Sequence, residues 1–164
     1  MLAARSSESL NLGDLRRAGL RATAPRLALL AAVREGGHLT VEEIAVLARR
    51  RLGTVSTQAV YDVLRALTTS GLIRRIEPAG SAARFESRVG DNHHHLVCRV
   101  CGSVLDVDCA VGHAPCLEAS AASGYAIDEA EIIFWGLCPA CDTSADAAVS
   151  SPPAIRRRAS HEQR

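Results

Sequence analysis

Lysine is absent from all 164 residues, and aromatic side chains supply only 3% of them although 48% are hydrophobic. The missing lysine carries no reading of its own. The scarcity of aromatics does: any core must be built from Leu, Val, Ile and Ala, and a small core of that kind needs a metal staple or a subunit interface to compensate. No segment approaches the roughly 20 apolar residues of a membrane span. Met1–Leu10 has no apolar centre of signal-peptide length. These absences predict a soluble, cytoplasmic chain with no membrane partner, in a compartment where thiols stay reduced. The length admits one domain or two small ones.

Cysteine, by contrast, is well supplied. Four of the 6 cysteines form two pairs, Cys98-Arg-Val-Cys101 and Cys138-Pro-Ala-Cys141. The C-x-x-C spacing lets two thiolates grip one face of a tetrahedral ion, and two complete pairs make a closed four-sulfur set suited to structural Zn2+. Disulfides and a redox-active C-x-x-C are the competing readings. The reducing compartment disfavours the first, and the lack of a βαβ context disfavours the second. Cys109 and Cys116 lack metal spacing and read as small buried residues or free thiols.

A formal net charge of +1 conceals a strong asymmetry. Residues 1–75 hold 12 Arg against 6 acidic residues, whereas residues 91–150 hold one Arg against 9 acidic residues. Two modules are therefore expected, the basic one suited to a polyanion such as DNA.

Local patterns give those modules shape. Residues 1–9 read as disordered, and Leu10–Ala18 as a short helix. Thr23 can cap a second helix with Pro25 in its first turn; Leu27, Leu30 and Ala31 would form its apolar stripe. Thr40-Val-Glu-Glu43 is a capping box opening a third helix, with Ile44, Leu47 and Ala48 inward. Ser56 can cap a fourth, with Val60, Leu64 and Leu67 at i, i+4 and i+7. Leu72–Glu77 and Ala82–Glu86 have strand character around the turn Pro78-Ala-Gly-Ser81. Helix, short turn, helix and hairpin outline a winged helix-turn-helix over residues 10–87. A polar hinge at residues 88–92 leads to a module over residues 93–141. Its expected strands are Leu96–Cys98, Ser103–Val107 and Tyr125–Trp135, with a helix at Ala114–Ala122. The predicted fold class is α+β: an N-terminal winged helix-turn-helix plus a small α/β dimerisation domain carrying the four-cysteine zinc site. Residues 142–164 read as a disordered tail, in which Arg156-Arg157-Arg158 is a solvated run in preference to a DNA contact.

Three consecutive histidines precede the first cysteine pair. In an extended strand His93 and His95 face one side and His94 the other. Two imidazoles with a carboxylate suit exchangeable ions such as Fe2+, Mn2+, Zn2+ or Ni2+. A set of His38, Glu86, His93 and His95 would tie the modules together and make a metal an allosteric ligand. Spacing alone leaves this open against surface histidines and an ordinary loop histidine at position 38. His94 could join Asp106 or His113 and a later acid, Glu129 or Glu131, in a further site.

Several stretches resemble, in order, the ferric-uptake-regulator family over roughly residues 10–141. They are Gly19-Leu-Arg-Ala-Thr-Ala-Pro-Arg26, Ala59-Val-Tyr-Asp-Val-Leu64, Ser70-Gly-Leu72, Arg84-Phe-Glu86, His93-His-His-Leu-Val-Cys98, Cys101-Gly102 and Trp135-Gly-Leu-Cys138. Gln58-Ala-Val-Tyr-Asp-Val-Leu64 and Glu86-Ser-Arg-Val-Gly-Asp-Asn-His-His-His95 look like the FurA branch, whose members accompany catalase-peroxidase genes. The resemblance implies a homodimeric, metal-dependent repressor that binds a palindromic operator in double-stranded DNA. It carries structural zinc onto Cys98, Cys101, Cys138 and Cys141, and the regulatory metal onto His38, Glu86, His93 and His95. Gln58 and Tyr61 are expected near bases, and Arg21, Thr23 and Arg26 at phosphates, with Arg65, Arg74 and Arg75 as further candidates. The recognition helix departs from the usual Thr-Val-Tyr-Arg with Ala59-Val-Tyr-Asp62, which implies a lost or moved DNA contact. Glu86 stands where the peroxide-sensing branch has Asp. Asn92 and Ala130 stand where other members place histidines of a third metal site.

The expected function is Fe2+-responsive, redox-linked repression of catalase-peroxidase, oxidative-stress or iron genes, with no enzymatic activity and no small-molecule substrate. A zinc- or nickel-sensing repressor of the same family is the nearest alternative. A thiol oxidoreductase lacks its βαβ context, and a zinc hydrolase lacks a general base beside an open ligand set.

Overall fold

The computed structural model describes residues 2–91, 93–108, 124, 126 and 132–142, and the side chains from residue 7 onward. The first unit contains helices α1 (Leu2–Arg17), α2 (Ala24–Gly36), α3 (Val41–Leu52) and α4 (Thr57–Thr69) with strands β1 (Leu39–Thr40), β2 (Arg74–Ile76) and β3 (Arg84–Glu86). The second contains β4 (His93–Cys98), β5 (Val104–Asp108) and β6 (Ile133–Gly136).

Helix α2 is the hub of the first core. Pro25 lies in its first turn, and Thr23 occupies the N-cap position in extended conformation without a side-chain capping bond. Ala28, Leu29, Leu30, Ala32 and Val33 are buried. The expected stripe of Leu27, Leu30 and Ala31 is thus widened and turned. The cause is that α2 packs against α1 as well as against α3 and α4, so it has more than one inward face.

Helix α3 starts at the expected capping box: Glu43 N donates to Thr40 Oγ1 at 3.3 Å, and Thr40 N donates to Glu43 Oε2 at 2.8 Å. These bonds satisfy donors that the first helical turn cannot pair internally. Ser56 caps α4 by accepting from Ala59 N at 3.2 Å, and Val60, Leu64 and Leu67 are buried as their spacing predicts. Leu15 brings α1 onto the same core, and Arg34 of α2 donates to Asn11 and, at 2.6 Å, to Asp14 of α1. The helix begins at Leu2 and takes in residues expected to lack structure. Once its second half is anchored, each further residue adds a hydrogen bond at little cost.

The wing is a three-stranded antiparallel sheet in the order β1-β3-β2 rather than a bare hairpin. Two-residue β1 is too short to leave a periodic signal. Leu39 lies opposite Phe85, and Thr40 opposite Arg84. Phe85 is buried in the helical core, so Arg84 and Glu86, on either side of it, project to the other face. In the second unit the order is β5-β4-β6, with β5 antiparallel and β6 parallel to β4. Strand β4 starts at His93, earlier than expected. The helix expected at Ala114–Ala122 and most of the strand expected over Tyr125–Trp135 lie outside the described residues; the described strand begins at Ile133. Among the described residues, no helix is long and apolar enough to cross a membrane.

Gly36 closes α2 directly under Leu39: a Cβ there would sit 2.7 Å from Leu39 Cγ. Alanine gains about 1 kcal/mol over glycine within a helix, but overpacking costs about 1–3 kcal/mol. Gly36→Ala should therefore lower stability by about 1 kcal/mol in a denaturant titration. Gly13→Ala, whose Cβ meets only the flexible Arg17 side chain, should raise it by up to about 1 kcal/mol. Equal shifts of both midpoints would mean that Leu39 moves aside freely.

Candidate metal centres and nucleic-acid face

Strand topology brings the four cysteines together. Cys98 closes β4 and pairs in parallel register with Gly136 of β6, so both strands end side by side and each runs into a knuckle. In the first, Gly102 N donates to Cys98 O at 2.9 Å, with Gly102 in a left-handed conformation at φ 69°. In the second, Cys141 N and Asp142 N donate to Cys138 O at 2.9 and 2.8 Å. Arg99 N donates to Gly136 O at 2.9 Å and locks the first knuckle onto β6.

The four sulfurs lie within 4.8 Å of one another, and all four cysteines are free thiols. Cys101 Sγ and Cys138 Sγ are 3.7 Å apart. A disulfide needs about 2.05 Å, whereas the edge of a tetrahedron with Zn–S of about 2.3 Å is about 3.8 Å. Backbone N–H groups of Cys101, Cys138 and Val100 hold the Cys98 thiol down at about 6. The Cys141 thiol, crowded by those of Cys138 and Cys101, is pushed up to about 12. Four adjacent sulfurs cannot all ionise without a cation between them, and the chain already aims amide donors at one of them. The residues fit a structural Zn2+ ion.

The second cluster spans the two units. His38 follows Gly37, whose φ of 72° ends α2 and turns the chain toward β1. Glu86 ends β3, and β4 places His93 and His95 on one face with Asp106 of β5 directly opposite His95. His38 Nε2 lies 2.8 Å from Glu86 Oε2 and 2.7 Å from Asp106 Oδ1. His95 Nε2 is 3.1 Å from Glu86 Oε2, and His93 Nε2 is 3.2 Å from Glu86 Oε1 and 3.7 Å from Asp106 Oδ1. Yet His38 Nε2, Glu86 Oε1 and Asp106 Oδ1 are buried with no hydrogen bond of acceptable geometry among the described residues. Glu86 Oε2 is hydrogen-bonded to His93 Nε2 at 3.3 Å and His95 Nε2 at 3.1 Å, while the three unbonded atoms crowd one point as ligands to a cation would. His93 Nδ1 lies 2.9 Å from Asp91 Oδ1, the outer carboxylate contact that orients a metal-binding imidazole. Burial would raise the Glu86 carboxyl, but the close contacts of His38 and His95 and the charges of His95 and His93 override it and hold it far below the ordinary carboxylate range. His38, Glu86, His95 and Asp106 each bring one ligand atom within 4.8 Å of the others, a group that fits a divalent ion with nitrogen and oxygen ligands; expected ligand His93 stands beside it, outside that group.

Two expectations change here. Asp106 faces His38 and His95, so it does not join His94 in a further site. His94 points to the opposite face of β4, where its ring meets Phe134 at 6.3 Å between centroids. His113, Glu129 and Glu131, with Cys109 and Cys116, lie outside the described residues. The role of Asp106 beside His95 was legible in principle: once the first knuckle is taken as the turn of a β4–β5 hairpin, counting outward from it pairs His95 with Asp106.

The candidate DNA residues divide. Gln58, Tyr61 and Arg65 lie exposed on α4; Gln58 Nε2 donates to Asp62 Oδ1 at 3.1 Å and Arg65 Nη2 to the same oxygen at 2.6 Å. Tyr61, Arg65 and Arg75 share one groove between α4 and the wing. Exposed Arg21 lies beside Thr23, and Arg26 Nη1 donates to Arg21 O at 2.8 Å. Arg75 pairs with Glu77. Arg74 departs from the expected DNA face: its Nε lies 3.8 Å from Glu86 Oε1, because alternate residues of β2 face opposite sides.

Structural zinc contributes on the order of 10 kcal/mol of binding free energy to a small domain. Cys138→Ser should therefore abolish stoichiometric zinc and cooperative melting of the second unit together, read by metal analysis and circular dichroism. A zinc-free variant with unchanged melting would remove the site's structural role.

The ferric uptake regulator family model matches residues 17–134. The transcriptional regulator FurA of Mycobacterium bovis is 59% identical over 139 residues, covering 85% of this chain and 94% of that protein. Among solved structures, the ferric uptake regulator of Vibrio cholerae is 26% identical with a TM-score of 0.59, covering 78% of this chain and 99% of that one. The Pseudomonas aeruginosa regulator, solved with manganese, is likewise 26% identical with a TM-score of 0.59, over 79% and 98% of the two chains. With a fold of winged helix and knuckle-bearing sheet and a family match across most of its length, the chain belongs to the ferric uptake regulator family.

Proposed function

We propose that this chain is a cytoplasmic, metal-dependent transcriptional repressor that binds a palindromic operator in double-stranded DNA as a homodimer. The observation that carries the reading is the convergence of buried ligand atoms from both units. His38 and Glu86 belong to the winged helix; His93, His95 and Asp106 belong to the second unit. A divalent cation held there supplies the charge that lets these buried donors face one another. Shared ligation then fixes the angle between the units, and with it the spacing of two recognition helices in a dimer. A set of imidazoles and carboxylates without thiolate suits Fe2+ or Mn2+, and its imidazoles would also accept Zn2+ or Ni2+.

Two further features support it. Residues 1–75 carry 12 Arg against 6 acidic residues, and Arg65 and Arg75 flank exposed Tyr61 in the groove beside α4, which suits a phosphate-rich partner. The open face of the second sheet carries Leu96, Leu105 and Phe134 in one row, with Leu105 65% and Phe134 47% exposed, a surface that a second copy would cover. The resemblance of Gln58–Leu64 and Glu86–His95 to the FurA branch makes catalase-peroxidase, oxidative-stress or iron genes the proposed regulated set.

The test is footprinting on DNA upstream of such genes with each ion in turn. His95→Ala and Asp106→Ala should keep one zinc per chain but lose the metal response of DNA binding; an unchanged response would make the cluster a mere buried polar network. Tyr61→Ala should cost roughly 1–3 kcal/mol on operator and little on random DNA. Arg26→Ala should weaken both alike and reduce the salt slope by about one. Equal losses for Tyr61→Ala on both DNAs would place another element in the groove.

A further inference from the structure

Arg84 belongs to neither ligand set, yet it touches both. It lies on β3 two residues before Glu86 and on the same face of the strand. Its Nη1 donates to His38 O at 3.0 Å and its Nη2 to Gly102 O at 2.8 Å. His38 is a candidate ligand of the cluster between the units. Gly102 follows Cys101 and closes the first cysteine knuckle through its bond to Cys98 O at 2.9 Å. A third neighbour is Glu43, whose Oε2 lies 3.9 Å from Arg84 Nη1 and caps α3 by accepting from Thr40 N. The guanidinium is mostly covered, with 17% of its side chain exposed. One planar fork thus spans a backbone carbonyl of each metal site from a strand that also supplies Glu86.

We propose that Arg84 is a positioning residue that couples the four-cysteine knuckle to the histidine–carboxylate site; this rests on the reading of both clusters as metal centres. The chain of cause is short. Cysteines gathered around zinc fix the knuckle, and the knuckle fixes Gly102 O. Arg84 bonded to Gly102 O holds His38 O, which sets where the His38 ring points. Released from the knuckle, Gly102 gives Arg84 no anchor on the second unit, and His38 keeps its carbonyl partner but loses its fixed distance to His95 and Asp106. Arginine suits this task because its donors are held in a rigid plane; a lysine ammonium reaches the two carbonyls with no fixed angle between them. Coupling of this kind is reciprocal: an ion at the histidine site must also steady the knuckle.

The experiment uses the full-length, zinc-loaded chain. Mn2+ binding is measured by equilibrium dialysis, and zinc loss to a chromogenic chelator is timed with and without Mn2+. In the native sequence, Mn2+ should slow zinc loss. Arg84→Met should keep one zinc per chain and an unchanged circular dichroism spectrum, but bind Mn2+ about tenfold or more weakly, the usual cost of losing an outer partner of a metal ligand. Its zinc loss should no longer respond to saturating Mn2+. Arg84→Lys, which keeps the charge, should lose the response as well, and it carries the test if the methionine variant fails to fold. Because Arg84 acts through His38, His38→Ala and the His38→Ala/Arg84→Met double variant should bind Mn2+ equally. A response of zinc loss to Mn2+ that survives in both Arg84 variants would overturn the proposal. So would an Arg84→Met penalty that persists at full size in the His38→Ala background. A native chain that binds no Mn2+ would remove the metal reading of the cluster, and the coupling with it, a result distinct from normal binding without linkage.

Discussion

Strand β4 carries donors for both clusters on six residues, and its hydrogen-bonded register with two neighbours decides where each one falls. The parallel pairing with β6 sets Cys98 beside Gly136, so the second C-x-x-C can start only where the first already stands. The antiparallel pairing with β5 sets Asp106 opposite His95. A slip of one residue would exchange the two faces of the strand: His94 would meet Glu86, and His93 and His95 would turn toward Phe134. Among its described residues the sheet buries Val97 and Cys98 as its apolar contribution. Among the described residues, the knuckles at one end and the polar cluster at the other are the features that pin its register.

That polar cluster is itself a constraint. Glu86 and the three imidazoles around it are almost fully withdrawn from water, with Glu86 only 2% exposed. Burying a carboxylate is costly unless opposite charge and hydrogen bonds surround it. Arg74 and Arg88 stand at the rim, 3.8 Å from Glu86 Oε1 and Asp106 Oδ2 respectively, and Arg88 also bonds Asp91 and Asp108. Arg88, between β3 and β4, is thereby tied to Asp106 of the cluster and to Asp108 of β5. With Glu86 Oε1 and Asp106 Oδ1 buried and unbonded, the arrangement is unfavourable by itself and would become favourable with a cation between them, as the proposed metal response requires.

Much of this was legible in the chain. The capping box at Thr40, the cap at Ser56, the spacing of Val60, Leu64 and Leu67, and the paired cysteines are local signals, each fixed by neighbours a few residues away. What escaped depends on contacts between distant segments. The inward face of α2 turns because α1 also packs on it, which no periodicity within α2 can report. Strand β1 is too short for alternation and exists because Phe85 brings β3 beside Leu39. Arg74 read as one more basic residue of a basic half; the alternation of β2, not its charge, turns it toward Glu86. Asp106 was one of two partners offered for His94, whereas the hairpin register sets it opposite His95.

The two clusters also differ in what their ligation can do, and the difference follows from which units supply the ligands. All four cysteines come from the second unit, so any ion they hold contributes to folding that unit and cannot report on the angle between units. The histidine–carboxylate set is divided: leaving the bound arrangement requires only that His38 and Glu86 move away with the winged helix. Moving such an equilibrium from about 1:99 to 99:1 needs about 5.5 kcal/mol of differential affinity. An ion held by His38, Glu86, His95 and Asp106 would lose two of these four ligands on opening, enough to supply a difference of that order. Division of ligands between units, rather than strength of binding, is therefore what would suit one cluster to a staple and the other to a switch.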